Sequence, residues 1–267
     1  MQLKIGNKSH FFHTPQVMGV VNITPDSFYA TSRHQSINDV FTTVSAMIEE
    51  GAAIIDLGAA SSRPGAHVTS ALEEWNRLAP VVGSFRQHFA DVIVSVDTFY
   101  SDVVERVFDA IGPFIVNDIS AGEEDPRMFA VVSRLQLPMV AMCKREIAGI
   151  DVVKELHEFF AEVIDRAQDA GVQQIILDPG FGFAKSIKQN YLLLSALPQI
   201  FDFHDVARMI GISRKSMIYK PLNITPDDAL PATSALHLFA LQQGVDVLRV
   251  HDVATAKQII QIYLNFL

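Results

Sequence analysis

Short apolar runs alternate with longer amphipathic stretches along most of the chain. The runs are rich in Val and Ile and are four to eight residues long. Continuous apolar runs of this length are typical of parallel strands that are buried on both faces. The pattern predicts eight such strands, at residues 17–22, 54–58, 92–97, 114–118, 139–142, 174–178, 206–213 and 246–251.

The stretches between these runs have the spacing of amphipathic helices. Apolar side chains recur every third or fourth residue within 36–51 and within 151–171, which places them on one helical face. Each of these two stretches ends in a glycine, Gly51 or Gly171. Because a glycine just beyond the last turn is a common helix stop, both stretches are predicted to be helices.

Strands that alternate with helices predict an α/β fold, a single (β/α)8 TIM barrel in which residues 1–267 form one domain. The length of 267 residues is typical of this fold. An open doubly wound sheet is the alternative, although such sheets usually have fewer strands. Residues 3–12, before the first strand, are predicted to form a short hairpin that plugs the bottom of the barrel.

Composition narrows the class of protein. Hydrophobic residues make up 49% and charged residues 19%, so the chain is able to bury a large core. The net charge of −9 argues against nucleic acid or an anionic membrane as a partner. The one cysteine, Cys143, excludes an intrachain disulfide, and the polar N-terminus lacks the pattern of a signal peptide. We therefore expect a cytoplasmic protein.

Polar side chains stand at nearly every predicted strand end. In a TIM barrel the carboxyl ends of the strands meet at one face, where the active site lies. These residues are Asn22, Asp97, Asn117, Asp118, Asp178, Arg214, Lys215, Arg249, His251 and Asp252. Any single Asp among them is equally explained as a turn former or helix N-cap, above all Asp118 and Asp252, and Arg214 as an ordinary ion-pairing residue.

The set as a whole has chemical content. Clustered Asp and Asn side chains suit a flat heterocycle with several N–H donors and carbonyl acceptors. The cations Arg63, Lys215, Arg249 and His251 suit phosphate oxygens. Asn22 beside them offers an oxygen ligand of the kind that Mg²⁺ prefers. The strand ends therefore predict a site for a heterocycle that carries a diphosphate.

Seven segments together resemble the dihydropteroate synthase family. The resemblance runs from about residue 17 to about residue 254, and every segment falls at a predicted strand end or in the loop that follows. The segments are Asn-Ile-Thr-Pro-Asp-Ser-Phe at 22–28, Ser-Arg-Pro-Gly-Ala at 62–66, Ser-Val-Asp-Thr at 95–98, Asn-Asp-Ile-Ser at 117–120, Asp-Pro-Gly-Phe-Gly-Phe at 178–183, Ser-Arg-Lys-Ser at 213–216 and Arg-Val-His-Asp-Val at 249–253.

The resemblance implies an enzyme of folate synthesis that joins a pterin diphosphate to p-aminobenzoate. It also implies Mg²⁺ as cofactor, a homodimer, and competition by sulfonamides for the p-aminobenzoate site.

The implied pterin residues are Asp97, Asn117, Asp178 and Lys215, with Met142 lining the pocket. The implied diphosphate residues are Asn22, Arg63, Arg249 and His251, with Mg²⁺ at Asn22. The implied neighbours of p-aminobenzoate are Ser62, Pro64, Phe183 and Ser216, with Phe28 above the ring. Catalysis is expected from Asp97, Asp178, Lys215, Arg249 and His251.

The chain departs from the family pattern in four places: the first loop over 27–33, the second loop over 58–63, the segment after the fifth strand, and Ala184. After the fifth strand, Met142-Cys-Lys-Arg-Glu stands where Met-His-Met-x-Gly is usual, and we expect Lys144 and Arg145 to point outward. Ala184 replaces a glycine before Lys185.

Two other functions remain open: a pterin-binding paralogue without activity, and a methyltransferase that passes a methyl group from a reduced folate to a corrinoid protein. The expected diphosphate residues favour the synthase, because neither alternative needs them.

Overall fold

The computed structural model describes residues 1–23, 33–60, 69–149 and 151–267. Four residues of the expected site, Phe28, Ser62, Arg63 and Pro64, lie outside the described residues.

Eight parallel strands of the described chain close into a barrel. Their order around the barrel follows the chain, and the last strand closes on the first. The strands are β3 (Gln16–Asn22), β4 (Ile54–Gly58), β5 (Ile93–Asp97), β6 (Ile115–Asp118), β7 (Met139–Met142), β8 (Ile175–Asp178), β9 (Ala207–Ile210) and β10 (Val247–Val250). The predicted (β/α)8 barrel is confirmed, and the open sheet is excluded because β10 pairs with β3.

Helices surround this barrel. They are α1 (Arg33–Glu49), α2 (Ala71–His88), α3 (Ser101–Ile111), α4 (Met128–Arg134), α5 (Val152–Asp169), α6 (Ile187–Ser195), α7 (Leu197–Ile200), α8 (Ser216–Leu222), α9 (Leu230–Gln242) and α10 (Val253–Leu264). Gly51 and Gly171 follow α1 and α5 with positive φ of 101° and 83°. A glycine adopts this conformation readily, and it ends a helix. Among the described residues, no helix is long and apolar enough to cross a membrane.

The predicted hairpin is also present. Strands β1 (Gln2–Ile5) and β2 (Lys8–Phe11) pair antiparallel. Leu3 on β1 is buried in a cluster that takes one residue from every barrel strand. Those residues are Met18, Ile54, Ile93, Ile115, Val140, Ile176, Met209 and Val247. This apolar layer, which we call the floor, closes the bottom of the barrel.

Strand bounds differ from the predicted runs chiefly at β9. The apolar run predicted a strand over 206–213, but β9 ends at Ile210. It shares only two register pairs with β8 and two with β10, so the ladder stops before the apolar run does. Residues 211–213 instead lead into Arg214, whose φ of 54° turns the chain towards α8.

Candidate active site

The side-chain alternation of the strands builds the site above the floor. Because side chains of a strand alternate between two faces, the residue two positions beyond each floor residue also points into the barrel. These second-layer residues are Val20, Asp56, Ser95, Asn117, Met142, Asp178, Gly211 and Arg249. Five of them are polar or charged, so the interior changes from apolar to polar within two residues. We call Asp56, Ser95, Asn117, Asp178 and Arg249 the polar ring.

Arg249 joins two carboxylates inside the barrel. Its Nε donates to Asp56 Oδ2 at 2.8 Å, and its Nη2 lies 2.6 Å from the same oxygen and 2.9 Å from Asp97 Oδ2. Asn117 Nδ2 donates to Asp56 Oδ2 at 3.1 Å. Three donors therefore converge on one oxygen of Asp56, whereas its Oδ1 is buried without a hydrogen-bond partner among the described residues.

The charges of this network shift its ionisation equilibria. Burial raises the pKa of Asp97 to about 7; Arg249 opposes this shift, and Asp56 and Asp118 add to it. Burial lowers the pKa of Arg249, but Asp56 and Asp97 outweigh it and raise the pKa overall. Arg249 thus stays charged, while the Asp97 carboxyl holds a proton more readily than an ordinary aspartate does.

Asp178 and Lys215 form the opposite side of the interior. The Asp178 Oδ1 accepts a hydrogen bond from Gly180 N at 2.8 Å, and burial raises the pKa of this carboxyl. Lys215 Nζ donates to Phe181 O at 2.6 Å and lies 4.7 Å from the centre of the Phe183 ring. Burial is the main cause that lowers the pKa of Lys215 to about 8.

The remaining predicted residues lie around these two groups. Asn22 and His251 are exposed at the ends of β3 and β10. Met142 is buried at the end of β7, and Ser216 is the first residue of α8. The structure therefore brings the predicted residues that it describes to one face of the barrel, as the sequence required.

Three strand-end residues have structural partners instead. Asp118 accepts hydrogen bonds from Ser120 N and Oγ and from Gly122 N, all at 2.7 Å. Arg214 pairs with both carboxylate oxygens of Asp252 at 2.8 Å. These contacts agree with the structural interpretation of Asp118, Arg214 and Asp252.

The two charged residues after β7 are also paired. Lys144 lies 2.6 Å from Glu124 and 5.3 Å from the centre of the Phe99 ring, and Arg145 pairs with Glu123. Both glutamates belong to the connection that follows β6, and Phe99 belongs to the one that follows β5.

Sequence reasoning missed Asp56 and Ser95. It concentrated on strand ends, whereas both residues lie in the middle of their strands. A signal was available for Asp56, since a lone carboxylate interrupts the apolar run Ile54–Gly58. A charge is expensive inside a strand that is buried on both faces unless it has partners, so its position marks the interior site.

The described residues contain no group of three or more His, Cys, Asp or Glu that could hold a metal ion. Any cation at this face would depend on oxygens from a substrate and water together with a side-chain oxygen such as that of Asn22. The arrangement suits Mg²⁺, which keeps several waters and binds through phosphates. Chemically, the site offers carboxylate and amide partners for a heterocycle and cations for an anionic leaving group.

Comparison with known proteins agrees with this arrangement. A family model described as "Pterin binding enzyme" matches residues 18–251. The dihydropteroate synthase of Escherichia coli (strain K12) is 38% identical over 252 residues, which cover 90% of this chain and 87% of that protein.

Solved structures are equally similar. The dihydropteroate synthase of Xanthomonas albilineans with 4-aminobenzoic acid has a TM-score of 0.90 at 34% identity, covering 99% of this chain and 97% of that one. The Yersinia pestis dihydropteroate synthase in a sulfonamide drug complex has a TM-score of 0.90 at 33% identity, covering 100% and 99%.

Proposed function

The chain belongs to the dihydropteroate synthases, and from this membership we propose that its barrel face joins 6-hydroxymethyl-7,8-dihydropterin diphosphate to p-aminobenzoate, with release of diphosphate. It is a transferase of folate synthesis. The observation that supports the site assignment is the polar ring, which places carboxylates, an amide and the Arg249 guanidinium together inside the barrel.

The pterin ring occupies the interior above the floor. Asp178 and Asp97 accept hydrogen bonds from its N–H groups, and Asn117 offers both a donor and an acceptor. Lys215 donates to a ring acceptor through a second N–H of its ammonium and keeps its hydrogen bond to Phe181 O. Met142 lines the apolar part of the pocket. Asp56 acts through Arg249 and Asn117, because both side chains are hydrogen-bonded to its Oδ2.

The diphosphate lies at the rim, where Arg249 and His251 stabilise the negative charge that develops as it leaves. Asn22 supplies a protein ligand to Mg²⁺, and the bound ion would neutralise part of the charge on the diphosphate. Arg63 binds the diphosphate together with these residues.

Bond cleavage comes before bond formation. The C–O bond to the diphosphate breaks and its electron pair leaves with the diphosphate, while the electron-rich pterin stabilises the methylene cation. The neutral amine of p-aminobenzoate then forms the C–N bond and loses a proton. No strong base is needed, because this nitrogen is already nucleophilic. Ser62, Pro64, Phe183 and Ser216 border the p-aminobenzoate ring, and sulfonamides compete for the same place.

The enzyme works as a homodimer in the cytoplasm. Apolar side chains remain exposed on two helices that pack against each other, Phe239 on α9 and Ile262 on α10. Apolar side chains exposed on neighbouring helices are candidates for a subunit interface. Analytical ultracentrifugation should show that the parent protein is a dimer. The double variant Phe239→Glu, Ile262→Glu should be a monomer. A monomeric parent protein would exclude the dimer.

The proposed reaction is tested by diphosphate release from purified protein. The pterin diphosphate, p-aminobenzoate and Mg²⁺ are supplied together and then omitted in turn. Release that requires all three is the expected result. If the protein binds the pterin diphosphate in calorimetry but releases nothing, it is a pterin-binding protein without synthase activity, and the proposal is wrong.

A further inference from the structure

Lys185 is a half-buried cation close to the site that the proposed chemistry does not use. Its Nζ donates to three backbone carbonyls: Cys143 O at 2.8 Å, and Gly180 O and Phe183 O at 3.3 Å. Among the described residues, its ammonium has no carboxylate within ion-pairing distance. A cation withdrawn from water and held by carbonyl oxygens, with the charge of Asp178 beyond ion-pairing distance, is costly, so its position calls for an explanation.

The three carbonyls belong to two segments that Lys185 ties together. Cys143 follows β7, and Gly180 and Phe183 belong to the connection after β8, residues 179–186, which we call the β8 loop. The approach is close: a Cβ on Gly180 would lie 2.1 Å from Cys143 O. Lys185 thus fixes the β8 loop against the end of the neighbouring strand.

The β8 loop is tightly wound around two ammonium groups. Gly180, Gly182 and Ala184 all have positive φ, at 69°, 81° and 44°. This winding turns the carbonyls of Gly180 and Phe183 to Lys185, and the intervening carbonyl of Phe181 to Lys215. The position of Lys215 therefore depends on a loop conformation that Lys185 stabilises.

We propose that Lys185 is a positioning residue for the reaction, holding the β8 loop so that Lys215 and the Phe183 ring face the substrates. The inference rests on the proposed function, in which Lys215 binds the pterin and Phe183 borders p-aminobenzoate. Lys185 touches neither substrate and acts through the loop.

Lys185 also acts through its charge. Burial is the main cause that lowers the pKa of Lys215. The charges of Asp178 and Asp97 oppose this shift, whereas those of Arg249 and Lys185 lower the pKa further. Geometry and charge are separable by substitution. Lys185→Met removes the charge and all three hydrogen bonds, whereas Lys185→Arg keeps the charge but not the compact fit between the carbonyls.

The experiment measures kcat, both KM values and the pH profile of kcat/KM for Lys185→Met, Lys185→Arg and the control Lys188→Met. Lys188 is an exposed lysine three residues further on, in α6. Both Lys185 variants should raise the KM for p-aminobenzoate roughly tenfold, because a displaced loop weakens contacts made at close range. Only Lys185→Met should move the alkaline limb to higher pH, and Lys188→Met should match the parent.

If folded Lys185 variants keep both KM values and the alkaline limb within twofold of the parent and lose only thermal stability, Lys185 is merely structural and the inference is wrong. Lys185→Arg carries the KM test if Lys185→Met does not fold.

Failure of the proposed function would be visible separately. In that case the parent protein itself would release no diphosphate. Calorimetry with 6-hydroxymethylpterin would then compare its affinity for the parent and the variants, and equal affinities would overturn the inference.

Discussion

His237 should make the folded protein sensitive to mild acid. It lies on α9, is 3% exposed, and its Nε2 has no hydrogen-bond partner among the described residues. Burial lowers the pKa of His237 from 6.5 to about 4, and Asp252 opposes only part of this shift. The unfolded chain therefore binds a proton between pH 6.5 and pH 4 that the folded chain does not, so stability falls as pH falls through this window.

The loss of stability in acid follows from the pKa of His237 in the unfolded chain, 6.5, and in the folded protein, about 4. Relative to neutral pH, this one imidazole costs about 2 kcal/mol of folding free energy at pH 5 and about 3 kcal/mol at pH 4. His237→Leu removes the titration and has nearly the same volume, so it should leave no unpaired buried group. Its stability relative to the parent should therefore rise as the solution is acidified.

Urea denaturation at a series of pH values from 7 to 4 measures this difference. Carboxylates titrate in both proteins and largely cancel in the comparison. His204→Gln removes an exposed imidazole and serves as control; it should follow the parent curve. Parallel stability curves for His237→Leu and the parent would refute the reasoning, because they would show that His237 binds its proton equally well in both states.

Three further predictions concern the site and its loop. Asp178→Ala and Lys215→Ala should each abolish diphosphate release while circular dichroism stays that of a folded barrel; near-parent rates in either would contradict the assignment. Arg249→Met should weaken the pterin diphosphate much more than free hydroxymethylpterin in calorimetry, and equal losses would remove its phosphate role. Ala184→Gly should raise the free energy of unfolding by about 1 kcal/mol, because φ of 44° favours glycine; an unchanged urea midpoint would argue against strain at this residue.

Local patterns in the sequence were sufficient for the barrel. A strand buried on both faces must be apolar throughout, and the eight apolar runs reflect that requirement directly. The pattern did not predict every strand end. The run over 206–213 is longer than β9, because the extent of a strand depends on hydrogen bonds with its neighbours. The hairpin before the first strand was also predicted, but the contact of Leu3 with the floor is known only from the structure.

The site was predictable only in part. Its strand-end residues were found because parallel strands bring their carboxyl ends to one face, a rule that needs no coordinates. Asp118 and Asp178 look alike in the sequence, each closing an apolar run. Their difference appears in the hydrogen bonds: Asp118 binds Ser120 and Gly122 through both oxygens, whereas Asp178 uses one oxygen for Gly180.

The sequence by itself determined the fold, the face on which the site lies and the residue types available there, because hydrophobic periodicity and strand direction are local properties of the chain. Only the tertiary structure decided which charges meet. Arg249 reaches Asp56 across 193 residues of chain, and Lys185 reaches Cys143 across 42. Such contacts, and the pKa shifts they cause, depend on distances between strands and on exclusion of water, which exist only once the barrel has closed.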